Sequence, residues 1–311
     1  MTVIDAIIQG IVQGLTEFLP VSSSGHLNIT QHILGVTEDN LFFSVMLHIG
    51  TLVAVCAFYY KLIWRLIKAF GLLVADIFRG RFKWKEMDED RRMLIMLVIG
   101  LIPLFLLFLP IPGTEWKIKD LADIFSGAKY FIIVGISLLL TSLLLLIGDM
   151  FSRGYLAEKR HRKTPDGRKS MTVVDAVVVG LVQCCAAVFP GLSRSGSTLA
   201  AGQMRGVNKQ KALDYTFILA IPSIIAAALL ELKDVLDAPE GMQIDILPII
   251  VGMAVAAFVG YFSIVLFKWL LKTDKMIVFI LYTAIVGAAV IVISIMEMNS
   301  GVNLFTGAAI V

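Results

Sequence analysis

Chemically active side chains are concentrated at two points of an otherwise apolar chain. The first point is the segment LPVSSSG, where the polar residues in and around it are Gln13, Glu17, Ser22, Ser23, Ser24 and His26. The second is FPGLSRSG, which carries Ser193, Arg194, Ser195, Ser197 and Thr198. A guanidinium fork, hydroxyl donors and the free N–H groups that begin a short helix are what a phosphate group requires. The two sets together predict phosphoryl transfer.

Each residue type suggests a role. Ser23 offers a nucleophile, and His26, three residues on, is a candidate base for it or acid for the leaving group. Glu17 is a candidate for orienting the histidine or for holding a divalent cation. Gln13 stands four residues before Glu17 and therefore shares its helical face.

Structural explanations compete with these roles. A lone Glu17 can cap or pair, with Arg194 as its structural partner, and serines beside glycine often serve close helix packing in membranes. His26 can be a satisfied polar residue at the interface. We interpret His48, in VMLHIGTLV, as a pore-lining or packing residue, with phosphate contact as the less favoured alternative. The functional interpretation is favoured because suitable residue types recur at both points.

The composition predicts that membrane elements position these residues. Of 311 residues, 58% are hydrophobic and 16% charged, and the mean hydropathy is +0.86. Soluble domains are about half apolar and about a quarter charged. So little polar surface cannot cover so much apolar surface in water. The cysteines Cys56, Cys184 and Cys185 have no CxxC spacing, which predicts small buried hydrophobes and neither a disulfide framework nor a zinc site.

Six apolar segments are long enough to cross a hydrocarbon core, which takes about 20 helical residues. They are residues 41–60, 94–110, 129–149, 212–231, 246–268 and 276–296. Residues 2–36 and 172–207 are also apolar, but Pro, Gly and Ser break each one midway. Broken helices are tolerated at membrane depth when they pack against protein or line a polar cavity. The sequence predicts an all-α polytopic membrane protein with six transmembrane helices and two re-entrant helical hairpins.

The two broken segments are copies of one another. TVIDAIIQGIVQ, from Thr2, recurs as TVVDAVVVGLVQ, from Thr172, and the same offset aligns Pro20 with Pro190. Each copy is followed by three spans, so the second copy is predicted to be inverted in the membrane. This divides the chain into a first repeat (1–150), a basic cytoplasmic loop (151–170) and a second, inverted repeat (171–311).

The positive charges agree with this topology. Residues 61–92, 150–170, 205–211 and 268–275, assigned to the cytoplasm, hold 22 of the 27 Lys and Arg residues. Both termini then lie outside, the first hairpin enters from the outer face and the second from the cytoplasm. The positive-inside rule also explains the basic loop 153–169, so membrane lipids are expected partners and nucleic acid is not. Residues 82–92 are predicted to be a solvated loop joined to an interfacial helix.

Two motifs resemble those of the undecaprenyl-diphosphate phosphatase family, the bacitracin-resistance type of integral membrane phosphatase. QGLTEFLPVSSSGH (13–26) is similar to the family's (E/Q)xxxE segment with its Ser-rich turn and histidine. PGLSRSGST (190–198) matches PGxSRSxxT at every specified position. The length of the chain and the order of its apolar segments agree from end to end.

The resemblance implies hydrolysis of undecaprenyl diphosphate to undecaprenyl phosphate and inorganic phosphate, which recycles the lipid carrier of peptidoglycan synthesis. It also implies a divalent cation (Mg²⁺ or Ca²⁺) and an active site that opens toward the outer face of the bacterial cytoplasmic membrane. The positions that the family treats as catalytic are Glu17, Ser23, His26 and Arg194. The candidates for binding phosphate are Gln13, Ser22, Ser193, Ser195 and Thr198. Gln13 stands where many members have Glu, which leaves Glu17 as the acidic ligand for a cation on this helix.

Two mechanisms and one rival function stay open at this point. Either Ser23 attacks the terminal phosphorus, or water activated through His26 and Glu17 attacks directly. The rival is a transporter or flippase of a prenyl phosphate lipid, because inverted repeats with broken helices are typical of transporters. The oligomeric state is open as well, with a homodimer as one option.

Overall fold

Helices make up nearly all of the regular structure. The computed structural model describes residues 2–35, 41–154, 167–236 and 246–309, and within these ranges the only β pairings are isolated bridges. The α-helices are α1 (Val3–Phe18), α2 (Ser23–Leu34), α3 (Leu41–Phe58), α4 (Tyr60–Phe78), α5 (Glu89–Leu101), α6 (Leu121–Ser126), α7 (Phe131–Ser152), α8 (Val173–Val188), α9 (Arg194–Met204), α10 (Lys209–Leu236), α11 (Ile246–Lys272) and α12 (Ile277–Ser300). The prediction of an all-α fold is confirmed.

Five stretches are long and apolar enough to cross a membrane. They are Glu89–Phe108, Phe131–Ser152, Lys209–Leu230, Ile246–Lys272 and Ile277–Ser300. Each overlaps one of the predicted spans. Large apolar side chains on them face outward; Phe105, Phe258 and Ile285 are each about two-thirds exposed or more. Apolar surface of this extent on helices of this length is typical of contact with lipid, and the chain is a multi-pass membrane protein.

The sixth predicted span, residues 41–60, differs in form. Phe43–Phe58 qualifies as a span only together with Tyr60–Phe78, and the two helices are bent by 84° at Tyr59. On α4, Leu66 and Ala69 are buried, whereas Trp64, Phe70 and Phe78 are exposed. The amphipathic pattern of α4 and the bend before it are typical of a helix that lies along a membrane surface.

Proline changes the second predicted span, residues 94–110. The α-helix ends at Leu101, and a 3₁₀ helix, Ile102–Phe108, continues it with Pro103 in its first turn. Proline has no N–H for the α-helical ladder, so the chain tightens there and does not continue as one regular helix.

The two broken segments form two helix pairs. In the first, α1 and α2 are separated by Leu19–Ser22 around Pro20; in the second, α8 and α9 are separated by residues 189–193 around Pro190. Thr2 with Asp5 and Thr172 with Asp175 form the same capping box at the start of each pair. None of the four helices exceeds 16 residues, so none is long enough to span.

The halves of the chain pack through equivalent contacts. A Cβ on Gly10 of α1 would lie 2.7 Å from the carbonyl oxygen of Gly252 on α11, and a Cβ on its repeat equivalent Gly180 would lie 2.4 Å from that of Gly100 on α5. Each half therefore holds the broken helix of the other, backbone against backbone. The inversion across the membrane and the boundaries 1–150 and 171–311 stay predictions. Most of the basic loop 153–169 lies outside the described residues.

Candidate active site

The breaks of the two helix pairs meet inside the protein. The Ser195 hydroxyl donates to the Leu19 carbonyl oxygen at 3.1 Å. A Cβ on Gly25 would lie 2.8 Å from the Cα of Gly191, so the two turns touch without room for a side chain. We call residues 19–26 the first tip and residues 189–198 the second tip. Their contact unites the two sets of polar residues that the sequence singles out.

Glu17 is the centre of this contact. Its carboxylate is buried and forms an ion pair with Arg194 from the second tip. Its Oε2 accepts hydrogen bonds from Ser23 Oγ at 2.7 Å and from Gln13 Nε2 at 2.9 Å. His48 Nε2 lies 3.7 Å from the same oxygen. One carboxylate thus joins α1, α2, α3 and α9.

The position of Glu17 follows from its place on α1. Gly10, Gln13, Gly14 and Glu17 share the buried face of this helix, which lies against α11. The next residue, Phe18, is 1% exposed and packs edge-on against Phe217 at 5.5 Å between ring centroids. The aromatic anchor fixes the end of α1, and the carboxylate one residue earlier is held at the tip.

The first tip contains a strained residue. Ser22 has φ 75° and ψ 104°, a conformation that L-residues rarely adopt and that costs of order 1–3 kcal/mol. Its hydroxyl nevertheless accepts the N–H of Gly25 at 3.2 Å and caps α2. As a result α2 starts with Ser23 directed at Glu17.

His26 has partners other than Ser23. Its Nδ1 lies 2.8 Å from the carbonyl oxygen of Ser22, and its Nε2 lies 2.8 Å from the hydroxyl of Tyr282 on α12. The serine expected to pair with this histidine donates to Glu17 instead. In this arrangement the carboxylate is the group placed to take the proton of Ser23.

The second tip is held by hydrogen bonds and supplies the positively charged guanidinium of Arg194. Ser193 caps α9 by accepting the N–H of Gly196 at 3.1 Å. Thr141 of α7 holds the turn from behind, since its hydroxyl accepts the Ser193 N–H and donates to the Gly191 carbonyl oxygen. Arg194 is therefore the first residue of a helix whose N-terminus faces the first tip.

The remaining hydroxyls of the second tip are turned toward the backbone. Ser197 donates to the Ser193 carbonyl oxygen at 2.6 Å and Thr198 to that of Arg194 at 2.7 Å, and both side chains are buried. Ser195 bridges the two tips as described above. In this conformation, contact with a phosphate falls to Arg194 and to the helix N-termini.

Sequence reasoning missed Tyr282 and Thr141 and gave His48 only a minor part. All three are polar residues within otherwise apolar helices. Such residues are costly in a membrane, and that cost is the one signal that points to them. The repeat does not point to His48, because the position 170 residues on holds Ile218.

The arrangement has the parts of a phosphoryl-transfer site. It combines a hydroxyl bonded to a carboxylate, a guanidinium, an imidazole and two helix N-termini, all within a membrane protein. Positive helix ends and a guanidinium favour anionic oxygens. The carboxylate that holds the guanidinium in place is the group that an incoming phosphate would displace.

The chain is similar to known proteins along nearly its whole length. Residues 6–289 match the family described as bacitracin resistance protein BacA. An undecaprenyl-diphosphatase of Alkaliphilus metalliredigens is 39% identical over 95% of the chain and 100% of its own length. Proteins of the same name from Bacteroides fragilis (38%, covering 93% of the chain and 97% of the relative) and Methanosphaera stadtmanae (36%, covering 95% and 99%) are also similar.

Proposed function

Since the chain belongs to the bacitracin resistance protein BacA family, we propose that it hydrolyses undecaprenyl diphosphate to undecaprenyl phosphate and inorganic phosphate. This reaction recycles the lipid carrier of peptidoglycan synthesis and contributes to bacitracin resistance. The observation that carries the proposal is the buried Glu17 carboxylate, which binds Ser23 of one tip and Arg194 of the other. A scaffold has no need of a hydroxyl held against a carboxylate and beside a guanidinium.

Binding begins with an exchange of partners at Arg194. The Arg194 side chain is 25% exposed, so part of it is accessible while its Nη2 contacts Glu17. A terminal phosphate offers the same fork-shaped set of oxygens as the carboxylate, and a second set of negative charges. As Arg194 turns to the phosphate, Glu17 becomes free to act as a base. Gln13, Ser22, Ser193, Ser195 and Thr198 shape and hold the tips around the bound group.

The chemical step starts at Ser23. Its hydroxyl already donates to Glu17 at 2.7 Å, so the proton passes to the carboxylate as Oγ attacks the terminal phosphorus. The bond between that phosphorus and the bridging oxygen breaks, and the lipid monophosphate leaves. Water then cleaves the phosphoserine and regenerates the hydroxyl. His26 supplies or takes the second proton. Direct attack by water is the competing route, in which Ser23 only holds Glu17.

The side chains around Glu17 suit a divalent cation. Gln13 Oε1 is buried without a hydrogen-bond partner, and His48 Nε2 faces Glu17 Oε2 without reaching it. Among the described residues there is no cluster of three or more His, Cys, Asp or Glu side chains. Mg²⁺ is commonly held by one or two carboxylates together with substrate phosphates, and Ca²⁺ also prefers oxygen ligands. Glu17, through the oxygen that does not bind Ser23, would hold it together with Gln13, and a bound cation would offset the charge of the diphosphate.

The location follows from the charge pattern. We place the protein in the bacterial cytoplasmic membrane with its basic loops inside, so that the site is reached from the outer face. Lys61, Arg65 and Lys68 on α4, beside the exposed rings of Tyr60 and Trp64, support a cytoplasmic interface for that helix.

Phosphate release from undecaprenyl diphosphate by the purified protein in detergent with Mg²⁺ tests the function. We expect release by the wild type, loss in EDTA, and recovery with Mg²⁺ or Ca²⁺. Glu17→Gln keeps the shape of the side chain but removes the base, and release should fall by about 10² to 10³-fold. Asp214→Asn is the matched control, because Asp214 is paired with Lys268 and Tyr59 and not with the tips.

The outcomes separate the alternatives. No release from folded wild type with either cation would overturn the proposal and favour the flippase, which has no support among the relatives above. Release that survives EDTA would refute the cation alone. A phosphoserine trapped at Ser23 in a single turnover supports covalent attack, and its absence supports attack by water.

A further inference from the structure

The imidazole of His26 is held at both nitrogens. A carbonyl oxygen only accepts, so the 2.8 Å contact with Ser22 places a proton on Nδ1. The neutral ring then has its lone pair on Nε2, which accepts from the Tyr282 hydroxyl at 2.8 Å. Any proton that His26 gives or takes must use Nε2, and Tyr282 occupies that position.

Ring stacking and helix packing hold the Tyr282 hydroxyl next to His26. Its ring is stacked on the imidazole with 5.6 Å between centroids and 12° between planes. It lies on α12, which is packed tightly on α7: a Cβ on Gly135 or on Gly287 would lie 2.9 Å from the carbonyl oxygen of the other. The tyrosine is 44% exposed, so its ring reaches from the histidine to the surface of the protein.

We infer that Tyr282 is a proton relay, and that protons exchanged by His26 pass through its hydroxyl. The inference rests on the proposed phosphatase function. When water cleaves the phosphoserine, the Tyr282 hydroxyl gives its proton to Nε2 and takes one from the attacking water. The bond between the water oxygen and phosphorus forms as the bond to Ser23 Oγ breaks, Oγ recovers the proton that Glu17 took, and His26 ends protonated until it loses that proton to solvent by the same route.

Tyr282→Phe tests the relay because it keeps the stacked ring and removes only the hydroxyl. We expect kcat for phosphate release to fall by about 10²-fold, the low end of what a positioned acid–base group contributes, with KM within about twofold. Tyr261→Phe is the matched control. Its ring contacts Phe58 and Phe262 on another face of the protein, and its activity should be that of the wild type.

A double-mutant cycle with His26→Ala shows whether the hydroxyl acts through the histidine. In the His26→Ala background, Tyr282→Phe should cost nothing further, since the relay has already lost its partner. An equal loss in both backgrounds would overturn the relay, as would full activity of Tyr282→Phe or a loss confined to KM. A wild type that releases no phosphate would remove the proposed function itself, and the relay with it.

A spectroscopic measurement is independent of activity. The ¹⁵N resonances of His26, assigned with His26→Ala, should show the Nδ1–H tautomer in the wild type. In Tyr282→Phe, the Nε2 resonance should move toward that of a nitrogen with no hydrogen-bond donor. An Nε2 resonance that is the same in both proteins would overturn the contact on which the relay depends.

Discussion

The two tips descend from one sequence pattern but are used differently. α9 is buried continuously from Ser195 to Gln203, whereas α2 buries only Gly25 and Leu27. The second tip makes its turn with a glycine, Gly191 at φ 92°, whereas the first carries a strained serine, Ser22 at φ 75°. One tip is a rigid scaffold, and the other is open.

The chemistry follows the same division. At the repeat equivalents of Glu17 and His26, the second half has Ala187 and Gly196, and at the equivalent of Arg194 the first half has Ser24. The carboxylate, the hydroxyl proposed as nucleophile and the imidazole therefore belong to the first half, and the guanidinium to the second. The two copies of the pattern place two helix N-termini at one contact, and we propose a separate task for each.

The difference between the two tips is tested most directly at Ser23, where we expect the largest loss of phosphate release. Ser23→Ala removes the hydroxyl that faces Glu17, and phosphate release should fall by at least about 10³-fold if Ser23 is the nucleophile. Ser24→Ala is the control: this exposed neighbour lies 3.3 Å from the Ser22 hydroxyl and is not bonded to Glu17, and release should stay within about threefold. Equal losses in the two variants would mean that the first tip acts through its fold and not through one hydroxyl.

Arg194→Lys tests the task of the second tip. A lysine keeps the charge but not the planar fork, so it cannot bind the terminal phosphate through two parallel hydrogen bonds. We expect kcat/KM to fall by about 10²-fold. Arg205→Lys, at the far end of α9 and bonded to Asp175, controls for the substitution itself. An Arg194→Lys enzyme with normal kcat/KM would reduce the second tip to a structural support.

The sequence singled out the residues of both tips but not the details of their contact. Glu17 and Arg194 are 177 positions apart and stood out as ionisable residues beside the two breaks of the repeat, and the structure pairs them. The fold class and five of the spans followed from apolar length. The bend after α3 did not, since length and hydropathy are the same for a straight and a bent helix.

The spacing of residues along the sequence could not predict which side chains are hydrogen-bonded to each other. Ser23 and His26 are three residues apart and share a helical face, which suggested that they pair. The imidazole turns instead to the carbonyl oxygen of Ser22, an acceptor that the strained turn exposes, and Ser23 finds Glu17. Tyr282 lies 256 positions from His26 and belongs to neither of the two sequence motifs. Such contacts depend on rotamers and helix packing.

The smallest expected effect concerns the starts of the two helix pairs, where α1 and α8 begin. Asp175 is fully buried and binds the guanidinium groups of Arg168 and Arg205, whereas its repeat equivalent Asp5 binds Thr2 and has no ion pair with a side chain among the described residues. Removing one partner of a fully buried ion pair costs about 3–5 kcal/mol; both arginines here are 39% exposed, so we expect about 2 kcal/mol for Asp175→Asn. Asp5→Asn should lower the stability much less, because Asp5 only supports the cap of an exposed helix end.

Thermal unfolding in detergent, followed for both variants beside the wild type, measures this difference. We expect a lower midpoint of thermal unfolding for Asp175→Asn alone, with phosphate release intact at low temperature. This result would mean that the ion pairs at the start of α8 stabilise the helix pair that carries the second tip. The first tip has no such anchor at Asp5, which suits a helix that has to admit a lipid headgroup. Equal midpoints for the two variants would remove this part of the asymmetry and leave the division of labour to the tips themselves.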